Sequence, residues 1–170
     1  GFRVLEVPGQ ACCGALHDHA SDADGAAALA RANVKAFAGR AAFIVTNSAG
    51  CGAVLKEYGH LLHSADGAAF GARVRDVSEL LAAAGPRPGA PVPLDVAYDA
   101  PCHLQHAQRV HAEPLAVLRS IPGLRLHLLP PVRTGVDRIP GILLATFGNL
   151  VLVGLVAPWL ARRLWNSRPA

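Results

Sequence analysis

Gln10-Ala11-Cys12-Cys13-Gly14-Ala15 is the stretch on which the reading of this chain turns. Neighbouring cysteines bridge each other badly, because a disulfide between adjacent residues strains both the ring and the peptide inside it. Two adjacent thiolates suit a metal cluster, which offers several metal–sulfur bonds within a short distance. Upstream, Phe2 to Val7 (FRVLEV) reads as a short apolar strand closed by the turn residues Pro8-Gly9. The cysteine pair is therefore expected at the C-terminal mouth of a strand, where open α/β sheets place their chemistry. Gly14 can take a positive φ and let backbone N–H groups approach an anionic group.

The same construction recurs downstream. Ser21 or Asp22 caps an alanine-rich helix running to about Phe37, with Ala28, Leu29, Ala32, Lys35 and Ala36 as a weak apolar face. Ala41 to Thr46 (AAFIVT) is a buried strand of the parallel-sheet kind. It enters the turn Asn47 to Gly52, which holds Cys51, and a helix is expected from Ala53 to about Leu62. A thiol at a helix N-terminus is favoured as thiolate, although a buried structural cysteine is the competing reading. A further helix from about Phe70 to Ala84 carries Val74, Val77, Leu80 and Leu81 at helical spacing. Gly85 to Pro93 reads as a linker. The pattern then restarts: a strand over Leu94 to Tyr98, a turn Asp99-Ala100-Pro101-Cys102-His103 opening a helix to about Val110, a helix from Glu113-Pro114 to Ser120, and a strand over Leu124 to Leu129. The expected fold is α/β, an open and mostly parallel sheet built from Rossmann-like half-modules, with residues 1–84 as the first, 85–93 as linker and 94–131 as the start of a second.

An internal repeat supports two copies of one unit. Gly1 to Pro8 matches Gly123 to Pro130 position by position, with glycine, arginine and proline coinciding. A second Cys-Cys-Gly would follow Pro131, but Val132 to Arg138 stand there instead. The tail, 132–170, is of another kind. Ile139 to Ala161 is almost wholly apolar, long enough to span a bilayer, and bordered by Trp159, Trp165, Arg162, Arg163 and Arg168. A membrane helix over 139–161 is expected, with a core helix as the alternative.

Composition narrows the partners. Of 170 residues 52% are hydrophobic and only 16% charged, and the formal charge is +4. Aromatic residues are scarce and the arginines scattered, so the stacking rings and basic stripe of a nucleic-acid surface are missing. Four cysteines, one adjacent pair with Cys51 and Cys102 apart, look arranged for ligation and not as a disulfide framework. A start at Gly1 with no methionine anywhere reads as a fragment. Zinc is the competing metal: His17 and His19 follow Cys13, and His103 and His106 share a helix face with Cys102. His60, His63, His111 and His127 read as solvated or packing residues, as do Glu57 and Tyr58.

Three motifs together resemble a known family. Gln10 to Ala15 (QACCGA), Ser48 to His60 (SAGCGAVLKEYGH) and Tyr98 to Gln108 (YDAPCHLQHAQ) are similar, in order and spacing, to the iron–sulfur subunit of glycolate oxidase (glycolate dehydrogenase). More broadly they resemble the cysteine-rich CCG domains of heterodisulfide reductase B-type subunits. The resemblance implies a tandem repeat in which Cys12, Cys13 and Cys51 are the later ligands of the first copy and Cys102 the first ligand of the second. It implies an iron–sulfur cluster, of 4Fe-4S type, and electron transfer from a flavin-containing dehydrogenase subunit toward a membrane acceptor at the cytoplasmic face. No residue reads as a general base for a hydroxy acid, so substrate oxidation is expected in the partner subunit. Because the two partial copies supply complementary ligands in permuted order, one arrangement docks Leu94 to Leu129 where the start of the first copy would sit, bringing all four thiols to one site; the alternative is a half-module left undocked.

Overall fold

The computed structural model describes residues 2–87 and 89–129. Its core forms where short apolar elements converge: Ala30, Ile44, Tyr58, Phe70 and Val74 are all buried. Tyr58 stacks on Phe70 with centroids 4.9 Å apart, and Phe37 meets Phe70 edge-on at 5.8 Å. Fully burying a large ring contributes about 1.5–3 kcal/mol, so Tyr58 and Phe70 anchor the unit, with the partly buried Phe37 packed beside them.

The helix capped by Asp22 forms as expected. It is α2, Ala23–Ala36, following the short α1, Ala15–His19. The Asp22 side chain accepts from the Gly25 N–H at 3.0 Å. Its buried face is Ala26, Ala30 and Asn33, with Val34 and Phe37 packed beside it. The expected face is displaced by one position, since Ala28 and Ala32 are exposed. Alanines on every side left the apolar stripe unmarked.

Strand β1, Ile44–Thr46, leads into α3, Ala49–Lys56. This helix starts four residues earlier than expected, so Cys51 lies inside its first turn. A break at Glu57 separates α3 from α4, Tyr58–Leu62. The helix expected over Phe70 to Ala84 is instead α5, Ala65–Gly71, strand β2, Val74–Asp76, and α6, Val77–Ala84. The boundary is a capping box: the Asp76 side chain accepts from the Ser78 N–H at 2.9 Å, and Glu79 accepts from the Asp76 N–H at 2.7 Å. The sequence Asp76-Val77-Ser78-Glu79 carries that signature, which the helical spacing of the apolar residues masked.

The second part follows expectation more closely. Strand β3 is Asp95–Tyr98, α7 is Ala112–Arg119 and β4 is Arg125–Leu128. After Cys102 the backbone forms one turn of π-helix, His103–Ala107, in place of a regular α-helix.

The single open sheet is not observed among the described residues. Two separate parallel pairs form: β1 with β2, in register Ile44↔Val74 to Thr46↔Asp76, and β3 with β4, from Asp95↔Arg125 to Tyr98↔Leu128. The strand expected over Phe2 to Val7 is irregular, with Phe2, Val4 and Leu5 exposed and Val7 alone buried. No described helix is long and apolar enough to cross a membrane. The apolar stretch 139–161, for which a membrane helix was expected, lies outside the described residues, as does the rest of 130–170.

Candidate metal centre

The Cys12–Cys13 loop enters α1 through Gly14, which has φ 86°. A Cβ at this position would also stand 3.3 Å from the Ala26 carbonyl oxygen of α2. Any other residue would be strained twice over, by backbone conformation and by contact. The expectation that Gly14 takes positive φ therefore holds. Cys13 is buried and Cys12 exposed. Cys51, half-buried, reaches the same neighbourhood from the first turn of α3.

Burial pushes the Cys13 thiol up to about 12. The Ala15 N–H, which donates to Cys13 Sγ at 3.5 Å, works against that rise, while a hydrogen bond with Cys51 and the proximity of Cys51 and Cys12 add to it. The Tyr58 hydroxyl is likewise raised to about 12, first by burial, with Cys13, Cys12 and Cys51 all contributing. Cys12, Cys13 and Cys51 thus lie near enough to the buried Tyr58 hydroxyl to influence it. In the metal-free protein Cys13 keeps its proton at neutral pH, and a soft metal must displace that proton to bind. An all-sulfur donor set supplemented by a backbone N–H suits iron–sulfur or zinc chemistry and not hard cations.

Cys102 is placed differently. It is exposed at the entry to the π turn. That turn packs on α3: Leu104 and Val110 bury against Ala49, and the Gln108 amide donates to the Ala49 carbonyl at 2.8 Å. His103, beside Cys102, meets His19 of α1 edge-on with centroids 5.7 Å apart. The second part therefore packs on α3, which carries Cys51, and touches α1, which follows the Cys12–Cys13 loop. Among the described residues, however, no three His, Cys, Asp or Glu side chains are gathered to hold a metal ion.

Asn33 and Tyr58 complete the site, and the sequence alone gave neither a role in it. Asn33 is 2% exposed and Tyr58 fully buried. Asn33 Oδ1 accepts from the Ala11 N–H at 2.8 Å, and its Nδ2 donates to the Cys12 carbonyl and to Tyr58 Oη, each at 3.0 Å. Tyr58 Oη donates to the Cys13 carbonyl at 2.9 Å. Tyr58 serves helix packing as expected, but it also fastens the cysteine loop. A lone asparagine within an alanine-rich buried face was the signal available in the sequence, since a buried amide must find partners.

Residues 1–56 match the model of the cysteine-rich domain family designated CCG. The chain is 36% identical over 132 residues to the probable glycolate oxidase iron–sulfur subunit of Bacillus subtilis, covering 72% of this chain and 30% of that protein. It is 35% identical over 131 residues to the glycolate oxidase iron–sulfur subunit of Escherichia coli (69% and 31%). With one of the subunits of the CoM/CoB fumarate reductase of Methanothermobacter marburgensis it shares 38% identity over 129 residues (73% and 24%). The chain thus spans less than a third of the length of these curated relatives. No solved structure matches it.

Proposed function

Residues 1–56 of this chain belong to the cysteine-rich CCG domain family, and on that premise we propose that the chain is the cluster-binding part of an electron-transfer subunit. It relays electrons from a glycolate-oxidising flavoprotein subunit toward a membrane acceptor at the cytoplasmic face. Cys12, Cys13 and Cys51 are the later ligands of the first copy, and Cys102, the first ligand of the second, is the fourth. The observation that carries this reading is the cysteine loop itself, in which two adjacent thiols, one buried and one exposed, precede the left-handed Gly14 and are held by the buried Asn33 and Tyr58 side chains. Homology to iron–sulfur subunits supports the electron-transfer role.

A cluster of 4Fe-4S type supplies the electron-accepting centre when bound. The protein's own residues do the rest. Cys13 gives up its proton to become a ligand, the Ala15 N–H stabilises negative charge on its sulfur, and Tyr58 and Asn33 hold the loop. No described residue is assigned a part in oxidising the substrate, which is the flavoprotein's task.

Anaerobic reconstitution with iron and sulfide tests the reading. The expected product is brown, holds iron and acid-labile sulfide, and bleaches with dithionite. A colourless protein without iron overturns it. Substituting Cys102→Ala is expected to lower iron content; unchanged content removes Cys102 from the ligand set. The edge-on approach of His19 and His103 favours zinc as the second reading, and metal analysis after growth with both metals separates the two.

A further inference from the structure

We propose that Asn33 and Tyr58 are positioning residues that set the orientation of both peptide groups around the cysteine pair, and through them the stability and reduction potential of the bound cluster. This rests on the cluster reading above. The two carbonyls concerned, those of Cys12 and Cys13, each accept one hydrogen bond from the pair, at 3.0 and 2.9 Å. In a trans peptide the N–H points opposite to the C=O. Fastening both carbonyls toward the buried Asn33–Tyr58 side therefore turns the Cys13 and Gly14 N–H groups to the other side of the loop.

The consequence follows from charge. A cluster with thiolate ligands gains negative charge on reduction, so neighbouring N–H dipoles stabilise the reduced form and neighbouring carbonyl oxygens disfavour it. The clamp keeps the carbonyls engaged and prevents their rotation toward the sulfurs. Tyr58 can act this way because its ring is fixed by stacking on Phe70, and Asn33 because α2 holds it with all its polar atoms bonded. The two are also joined to each other, so the clamp is one unit.

Tyr58→Phe is the decisive variant, since it keeps the ring stacked and removes the hydroxyl alone. Two measurements are made beside wild type, with circular dichroism to establish that the variant is folded. In the metal-free protein, iodoacetamide labelling of Cys13 is expected to be faster in the variant, because the loop that buries it is released. In the reconstituted protein, retention of iron against a chelator is expected to fall about tenfold or more, and the reduction potential to become more negative. Labelling of Cys13 at the wild-type rate overturns the clamp. Faster labelling with unchanged iron retention and potential overturns its influence on the cluster. If the wild-type chain takes up no iron, the cluster reading fails, and the labelling experiment still decides whether the clamp exists.

Discussion

Two cysteine-bearing turns, Gln10 to Ala15 and Asp99 to His103, look alike in sequence and are held by opposite means. The first is fastened from behind by a buried amide and a buried phenol, and one of its sulfurs is buried with it. The second carries its thiol exposed. Its support lies further along, in Leu104, Val110 and Gln108 against α3, and in the surface pairing of Asp95 with Arg125 and His127 across β3 and β4. A thiol's environment is set by what stands behind its backbone, and the cysteine motif does not specify that.

Breaking the first turn is expected to have the largest effect. Asn33→Leu deprives the Ala11 N–H and the Cys12 carbonyl of their partner and leaves Tyr58 Oη without its donor. Leaving such groups unsatisfied costs about 1–3 kcal/mol each when buried, and a total loss of about 2–5 kcal/mol is expected in denaturant unfolding of the metal-free protein. A loss under about 0.5 kcal/mol, the range of ordinary surface substitutions, would mean that the loop holds itself.

The second region responds to acid. The Arg125 guanidinium, and after it His127, holds exposed Asp95 down at about 2, below the ordinary carboxylate value near 3.9. The folded state therefore resists a proton that the unfolded state accepts. Stability from this pairing is present above roughly pH 4 and is lost as pH falls toward 2. Asp95→Asn is expected to flatten that segment of the acid unfolding curve, with stability slightly below wild type at pH 7 and close to it near pH 2. Identical curves for the two proteins would show that the pairing adds nothing, as many exposed ion pairs do not.

Smallest of all is the expected effect of Cys102→Ser on the metal-free fold, within about 0.5 kcal/mol by thermal unfolding, because the side chain is exposed. A clearly larger destabilisation would mean that the two turns are more alike than their burial suggests.

Much of the element order was legible. The Asp22 cap, the run Ile44-Val45-Thr46 and the restart at Leu94 all carry local signals strong enough to survive. The matched stretches Phe2 to Val7 and Leu124 to Leu129 show where such signals stop. They share arginine and apolar alternation behind a glycine, yet only the second contains a strand, because β3 lies alongside it and Asp95 receives Arg125. Among the described residues the first has no such neighbour. Strand β2 was hidden for the converse reason: three residues are too few to show a period of their own beside helical spacing on both sides.

The sequence by itself determined which thiols are available, since the cysteines, their glycine neighbours and their order are local facts that no packing can alter. It also carried three motifs in one order and spacing, and residues 1–56, which hold the first motif whole and the second in part, match the CCG cysteine-rich domain. Only the tertiary structure decided which sulfur is buried and that Asn33 and Tyr58 fasten the loop. Those contacts join residues 21 to 45 positions apart along the chain. They arise only when helices α2 and α4 pack on one another, and no local pattern records which faces will meet.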